Sequence, residues 1–248
     1  MGVPKINWPP GNVPSLPELG EVHVWAVSLD TPPACVSELE KLLAPDEQAR
    51  AQGYKFPRLR ERFIVARGQL RRLLGQYLQC DPARIEFDYS PRGKPSLKGS
   101  QAEICCFNVA HSDELALIAF SGSMPVGVDV ELSRGMPDAE GIAERFFSRH
   151  ELAALQTVRA AARDEAFFRL WTRKEAWLKA TGAGITESLS KFEVAFLADE
   201  PPRVVAIGGD SAAAAEWSLL HLQPAEGFVG ALAMHRREVR LKCWAATA

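Results

Sequence analysis

Two long helical stretches, residues 57–79 and 163–180, each followed by a series of short apolar runs, constrain this chain more than any other feature. Phe63, Leu70, Leu73, Leu74 and Tyr77 punctuate the first, and Asp81-Pro82 stops it, because proline cannot continue a helix. Gly182 and Gly184 lie just past the second, where a left-handed cap is usual. Strand-like runs at 85–89, 104–110, 115–120 and 126–130 follow the first helix. Runs at 192–197, 204–207, 217–222, 228–234 and 239–244 follow the second, and the last three read as an antiparallel meander. Each long helix also carries an i, i+4, i+8 row: Phe63, Arg67, Arg71 in one and Trp171, Glu175, Lys179 in the other. A helix-then-strands order met twice predicts an α+β fold of two similar α/β halves, a pseudo-dimer. Each half is expected to pack a small, mostly antiparallel sheet against its principal helix, with the halves at 1–122 and 123–248. Ahead of this, residues 21–29 alternate apolar and polar and read as a half-buried strand. Short helices are expected at 36–43, 45–52, 138–147 and from 151.

The chain has 248 residues, 47% hydrophobic and 24% charged, so a substantial core needs no metal or disulfide to hold it. A net charge of −2 argues against a dedicated nucleic-acid binder. The five cysteines follow neither a zinc nor a disulfide spacing, which fits a reducing cytoplasm. Residues 1–21 are rich in Pro and Gly without an apolar signal core, and no run approaches a membrane span. A cytoplasmic protein without membrane contact is expected.

Residues 126–131, VGVDVE, place Asp129 and Glu131 on one face of a strand and Val128 and Val130 on the other. Adjacent carboxylates repel unless a cation lies between them, and oxygen ligands of this kind suit Mg²⁺. The same pattern also describes a strand end emerging into solvent. In residues 171–179, WTRKEAWLK, helix geometry stacks Trp171, Glu175 and Lys179 and turns Lys174 about 100° from Glu175. By itself that is an ordinary helix surface. His111 ends a strand within FNVAHS, and Lys94 sits in the basic turn RGKP. Residues 54–72 hold Lys55, Arg58, Arg60, Arg62, Arg67, Arg71 and Arg72 with Glu61 as the sole counter-charge in that run. Such a row is either a solvated face or a surface for phosphates or an acidic partner.

In sequence order, GKP, FNVAHS, VGVDVE, RFFSRHE and WTRKEAWLKATG resemble the 4′-phosphopantetheinyl transferase family, in its two-halved Sfp-type subgroup. The resemblance runs from about residue 45 to the final strands. It implies Mg²⁺, with Mn²⁺ as the alternative, held by Asp129, Glu131 and Glu175 together with the pyrophosphate of coenzyme A. It implies Lys179 and His111 at the phosphates, Lys94 at the coenzyme, and Arg50 with the neighbouring Arg62 toward the 3′-phosphate end. Three positions depart from the family pattern. Glu47 stands where a lysine is usual, Ala110 replaces a serine, and Phe63 takes the place of a small hydroxyl residue. Glu151 matches a family glutamate, but Ser148 to Glu151 also spells a capping box, and capping is the preferred reading.

The implied reaction is attack by a serine of an apo acyl- or peptidyl-carrier protein on the coenzyme A phosphate that bears pantetheine. Glu175 is the candidate base. The nucleophile belongs to the partner, which accounts for the lack of a Ser-His-Asp or Cys-His set. A carrier with an acidic helix near its serine would dock on the basic row, and two halves in one chain favour a monomer. Two alternatives use the same residues: a Mg²⁺-dependent nucleotide pyrophosphate hydrolase, and a coenzyme A-binding module without turnover.

Overall fold

Proline opens the first three helices of the chain, at a position where its missing N–H costs nothing and its fixed φ is already helical. In the computed structural model, which describes residues 8–11, 15–136, 138–183 and 187–247, the chain starts with β1 (Glu21–Ser28). The proline-led helices α1 (Pro33–Glu40), α2 (Pro45–Gln52) and α3 (Pro57–Leu78) follow. Then come β2 (Phe87–Tyr89), β3 (Pro95–Leu97), α4 (Gln101–Ile104), β4 (Cys106–Ser112), β5 (Leu115–Ser121) and β6 (Val126–Leu132). The helices α5 (Ala139–Phe146), α6 (Arg149–Thr157) and α7 (Ala160–Thr181) come next. The chain ends with β7 (Phe192–Ala195), β8 (Arg203–Ile207), α8 (Ser211–Ala214), β9 (Ser218–Leu222), β10 (Phe228–Met234) and β11 (Arg240–Ala245). Among the described residues no helix is long and apolar enough to cross a membrane.

Two sheets lie face to face between the two long helices. The first has the order β11-β1-β5-β4 and the second β6-β10-β9. Period-two alternation sorts the side chains of each strand between two cores. Trp25 and Val27 of β1 pack under α3 with Ile118 and Phe120 of β5. Their neighbours Val22, Val24, Leu117 and Ala119 face the other way, onto Val126, Val128, Val130 and Leu232 of the second sheet. Beyond that sheet, Val229, Ala231 and Ala233 pack under α7 with Phe167, Phe168 and Ala176. The result is four layers, helix–sheet–sheet–helix, with both principal helices outside. This is the expected α+β fold of two similar halves.

Two expectations are corrected. β1 is buried on both faces rather than half-buried, because α3 covers one side and the second sheet the other. Its polar residues survive burial through partners: His23 bonds the Tyr77 hydroxyl at 2.8 Å and Glu21 at 2.5 Å, and Lys242 reaches Glu21 at 2.8 Å. The meander holds for β9 and β10 only. β11 leaves that sheet and runs parallel beside β1, pairing Glu21 with Arg240 through to Ala26 with Ala245. There Trp244 stacks on Trp25 with ring centroids 5.0 Å apart. Smaller differences are a short helix displaced from 36–43 to Pro33–Glu40, and β3, α4 and α8, each too short to leave a periodic pattern. Gly182 caps α7 with φ of 70°, as expected; Gly184 lies outside the described residues.

The second sheet meets α7 at unusually short range. A Cβ on Gly127 would lie 2.0 Å from the Ala176 carbonyl oxygen and 2.4 Å from the Ala180 nitrogen, so the helix backbone rests directly on the strand. Gly127→Ala is therefore expected to push α7 off β6 and to destabilise the fold by about 3 kcal/mol or more, the upper end for overpacking. A urea midpoint within error of the parent protein would show that the contact is dispensable.

Candidate active site

The close crossing at Gly127 fixes what comes two and four residues later on β6. With Val126, Val128 and Val130 turned into the inter-sheet core, Asp129 and Glu131 share Gly127's face and project beside α7. Glu175 and Lys179, one turn apart on α7, meet them there. Lys179 Nζ lies 2.7 Å from Asp129 Oδ1, and Asp129 is only 5% exposed. Asp129 Oδ2 and Glu175 Oε1 are buried without a hydrogen-bond partner.

Strand β4 supplies the outer wall by side chains rather than by backbone pairing. Asn108 Oδ1 accepts from the Val128 amide at 2.9 Å, and Ser112 Oγ accepts from the Leu132 amide at 3.1 Å. Ser112 in turn donates to Glu131 Oε2 at 2.6 Å, which aims that carboxylate. These roles for Asn108 and Ser112 escaped the sequence reading. The available signal was their period-two spacing with Ala110 in FNVAHS, which places all three on the face toward the second sheet.

The electrostatics follow from three carboxylates and one ammonium in little water. Burial pushes Asp129 up, against the pull of Lys179. Burial also raises Glu131, opposed by the Ser112 hydrogen bond and reinforced by the Asp129 charge. Glu175 is pushed up to about 7, first by burial and then by the charges of Asp129 and Glu131. His111 stands across the cleft and is shifted down, first by loss of hydration between the cleft walls and then by Lys179, with Arg50 adding to the effect. It is neutral near pH 7 and free to donate one hydrogen bond.

The other expected residues lie on the first half at different distances from these carboxylates. Lys94 Nζ, in the β2–β3 turn, donates to the Lys179 carbonyl, and Arg92 reaches the Gly182 carbonyl at 3.4 Å. The first half's basic turn thus caps the carbonyl end of α7, where cations are favoured. Arg50, exposed in the last turn of α2, lies 5.2 Å over the Phe63 ring. Arg62 is held by Asp30 at 2.8 Å and by Asp113 at 2.5 Å, which ties the turn after His111 to the end of β1. A cavity of about 280 Å³ opens beside His111, lined by Leu29, Tyr54, Arg62, Phe63 and Arg134 among others.

The basic row of residues 54–72 is not an unbalanced stripe. Asp30 takes Arg58 and Arg62, Glu40 takes Arg60, and Glu47 takes both Arg67 and Arg71. Counting charges along one segment misses acids that other elements deliver. Glu47 is 2% exposed and also accepts from the Ala44 amide at 2.9 Å. It is an internal counter-ion and helix cap. Glu151 is likewise structural, as the capping-box reading expected. It exchanges bonds with Ser148, accepts from the Val194 amide at 2.9 Å and pairs with Lys174 at 2.8 Å. Lys174, fully buried, donates to the Leu189 and Phe192 carbonyls, so this lysine of the WTRKEAW segment anchors α7 rather than facing the cleft.

Among the described residues no three His, Cys, Asp or Glu side chains are already gathered as a ready-made metal cluster. The donor set nevertheless fits a hard divalent cation. Two carboxylate oxygens are buried without partners, and the one cation among them, Lys179, satisfies only Asp129 Oδ1.

The raised pKa of Glu175 makes a linkage prediction for the metal-free protein. Its protonated form contributes stability that is fully present below its ordinary value of 4.5 and is lost as the pH rises through about 7. Glu175→Gln stays neutral throughout. At about pH 8 it should therefore be the more stable protein, by on the order of 2 kcal/mol, with the two converging near the ordinary glutamate value. Coincident urea curves at the higher pH would show that the carboxylate ionises freely.

Comparison with known proteins bears on this cleft. Residues 125–233 match the model of the 4′-phosphopantetheinyl transferase superfamily, and residues 33–123 match that of a 4′-phosphopantetheinyl transferase N-terminal region. The chain is 41% identical to the 4′-phosphopantetheinyl transferase HetI of Nostoc sp. over 86% of its length and 87% of that protein. It is 30% identical to the 4′-phosphopantetheinyl transferase Sfp of Bacillus subtilis, over 63% of this chain and 73% of the other. A Thermotoga maritima holo-[acyl-carrier-protein] synthase structure covers 47% of the chain, and the chain 64% of it, at 24% identity and a TM-score of 0.37. With the HetI match spanning both halves, and both halves contributing walls to one acidic cleft, the chain belongs to the 4′-phosphopantetheinyl transferase superfamily.

Proposed function

We propose that this enzyme transfers the 4′-phosphopantetheine group of coenzyme A to a serine of an apo acyl- or peptidyl-carrier protein, with Mg²⁺ (or Mn²⁺) as its metal. The observation that carries the reading is the meeting of Asp129 on β6 with Glu175 and Lys179 on α7, in a cleft that also holds His111 and leaves carboxylate oxygens unpartnered.

Asp129, Glu131 and Glu175 would hold the metal, which when bound supplies positive charge against the pyrophosphate. Lys179 leaves Asp129 Oδ1 to neutralise the phosphate under attack, and the neutral His111 donates a hydrogen bond to the same group. Lys94, beside the end of α7, meets the coenzyme. The nucleotide end lies toward the cavity beside His111, with Arg50 at the 3′-phosphate and Arg62 holding the cavity wall. The serine oxygen forms a bond to the phosphorus that bears pantetheine, and the bond from that phosphorus to the bridging oxygen breaks. Adenosine 3′,5′-bisphosphate departs with the electron pair. Glu175 takes the serine proton, directly or through a water molecule. Catalysis is mainly positioning and charge neutralisation, as in other phosphoryl transfers.

In this reading residues 1–122 serve the nucleotide end and the carrier, and residues 123–248 carry the metal centre and the catalytic helix. Since one chain supplies both walls, it acts as a monomer. The use of coenzyme A and five cysteines outside any disulfide support a cytoplasmic enzyme. The arginines entering α3 have their own acids, so carrier docking relies more on apolar surface, where Phe56 is 67% and Leu59 46% exposed.

Two experiments test this. Incubation with coenzyme A, Mg²⁺ and an apo carrier, followed by mass spectrometry, should add one phosphopantetheine to the carrier. Free phosphopantetheine without carrier would mean hydrolysis, and no product would mean binding alone. Asp129→Ala should keep the fold and lose transfer by at least about 100-fold, the size of one transition-state charge contact; near-normal turnover would remove the metal-centre assignment. For docking, the double variant Phe56→Ser, Leu59→Ser should raise the KM for carrier about 10-fold or more, the size of losing two apolar anchors, with kcat unchanged. An unchanged KM would move the docking surface elsewhere.

A further inference from the structure

On the far side of α7 from the carboxylates lies a group of buried donors that the transfer reaction does not use. Arg173 is two residues from Glu175, which turns it about 200° around the helix. It is 1% exposed, yet among the described residues it has no carboxylate partner; its one hydrogen bond runs from Nη1 to the Ala195 carbonyl. Its Nε is buried without a partner. Arg169, one turn earlier on the same face, also has a buried Nε without a partner, and its other contact is a 3.3 Å bond to the exposed Glu165. From the sheet, His221 of β9 brings a third buried nitrogen without a partner, Nδ1.

The sheet register puts His221 on the face covered by α7 and away from the catalytic cleft. Ala231 of β10 pairs with Asp129 on one side and with His221 on the other, so the three form a cross-strand row on the α7 face. Asp129 and His221 are thus two strand spacings apart, about 10 Å. Arg169 and Arg173 are near enough to His221 to lower its pKa, together with burial as the first cause, to about 4. The charge of Glu200 acts on Arg173 from a distance. Its carboxylate accepts from the Leu197 amide at 3.4 Å and forms no ion pair among the described residues.

An uncompensated buried charge is costly, and three unpaired donors beside one another compound that cost. We propose that Arg169, Arg173 and His221 form a binding site for a tetrahedral oxyanion, with inorganic phosphate or a ligand's phosphate group as the class of occupant. Donors from three separate side chains suit an anion with several oxygens better than a planar carboxylate, which pairs with a single guanidinium fork. The site is distinct from the transfer centre, so its failure would leave the proposed function untouched.

The test uses the full chain and inorganic phosphate as the probe, with chloride at equal ionic strength as the control. Phosphate should shift the Nε–Hε resonances of Arg169 and Arg173 and raise the pKa of His221, while His111 reports separately on any phosphate in the cleft. At tenfold over its dissociation constant it should raise Tm by about 3–6 °C. Arg173→Met should be more stable than the parent in chloride and lose the phosphate response at His221. If that variant does not fold, Arg169→Met at the rim serves the same comparison. In Glu200→Gln the response should persist. The site is overturned if the arginine resonances ignore phosphate or respond equally to chloride. It is overturned equally if only His111 responds, or if Glu200→Gln unfolds the protein as loss of an internal counter-ion would. An organic phosphate that reproduces the shifts more tightly than the inorganic ion would identify the source as a larger ligand.

Discussion

The resting of α7 directly on the backbone of β6 is the contact on which the site depends. With Gly127 beneath Ala176 and Ala180, the helix approaches closer than any side chain would permit, and the next outward position, Asp129, falls within 2.7 Å of Lys179. Structural charges of the same helix hold that contact from behind. Lys174, buried against Glu151 and two backbone carbonyls, fixes the rotation of α7, which decides that Glu175 and Lys179 face the strand. The motif around Lys174 therefore mixes two functions, anchoring and chemistry, on neighbouring residues that point in different directions.

The same logic explains what the sequence disclosed and what it concealed. Period-two and period-four patterns are local, so the two-halved α+β plan, the shared face of Asp129 and Glu131, and the row of Glu175 and Lys179 could all be read directly. The partner of each element is a non-local property. Nothing in residues 240–245 states that β11 will cross to lie parallel beside β1; an alternating run serves either sheet, and Trp244 finds its stacking partner in Trp25 only after folding. The basic row of α3 failed for the same reason. Asp30, Glu40 and Glu47 pair with five of its seven cations from up to 32 residues away in sequence. Glu151 was legible because a capping box is a four-residue pattern with its own geometry.

Electrostatic frustration remains at two places, with opposite signs. At the β6 edge three carboxylates crowd around one ammonium; burial raises the pKa of each, and repulsion by neighbouring carboxylates adds to it at Glu131 and Glu175. At the β9 edge two guanidiniums and an imidazole each keep a buried nitrogen without a partner, and among the described residues the one acid paired there is the exposed Glu165 on Arg169. A protein selected for stability alone would replace either group by apolar residues, since buried ion clusters seldom improve on a well-packed core.

The two groups do not satisfy each other. Asp129 and His221 are about 10 Å apart, a separation at which even two opposite unit charges would attract by only roughly 1.7 kcal/mol at an effective dielectric of about 20, against about 5 kcal/mol at contact distance. Neither attraction nor the intervening Ala231 supplies the hydrogen bonds that the buried atoms lack. In the proposed reading each edge is completed by an ion: a cation at the unpaired oxygens of Asp129 and Glu175, and an oxyanion at the unpaired nitrogens of Arg169, Arg173 and His221. α7 carries residues of both groups on opposite sides of its axis, and the Gly127 contact together with the Lys174 anchor keeps the helix from turning to bury either set more deeply.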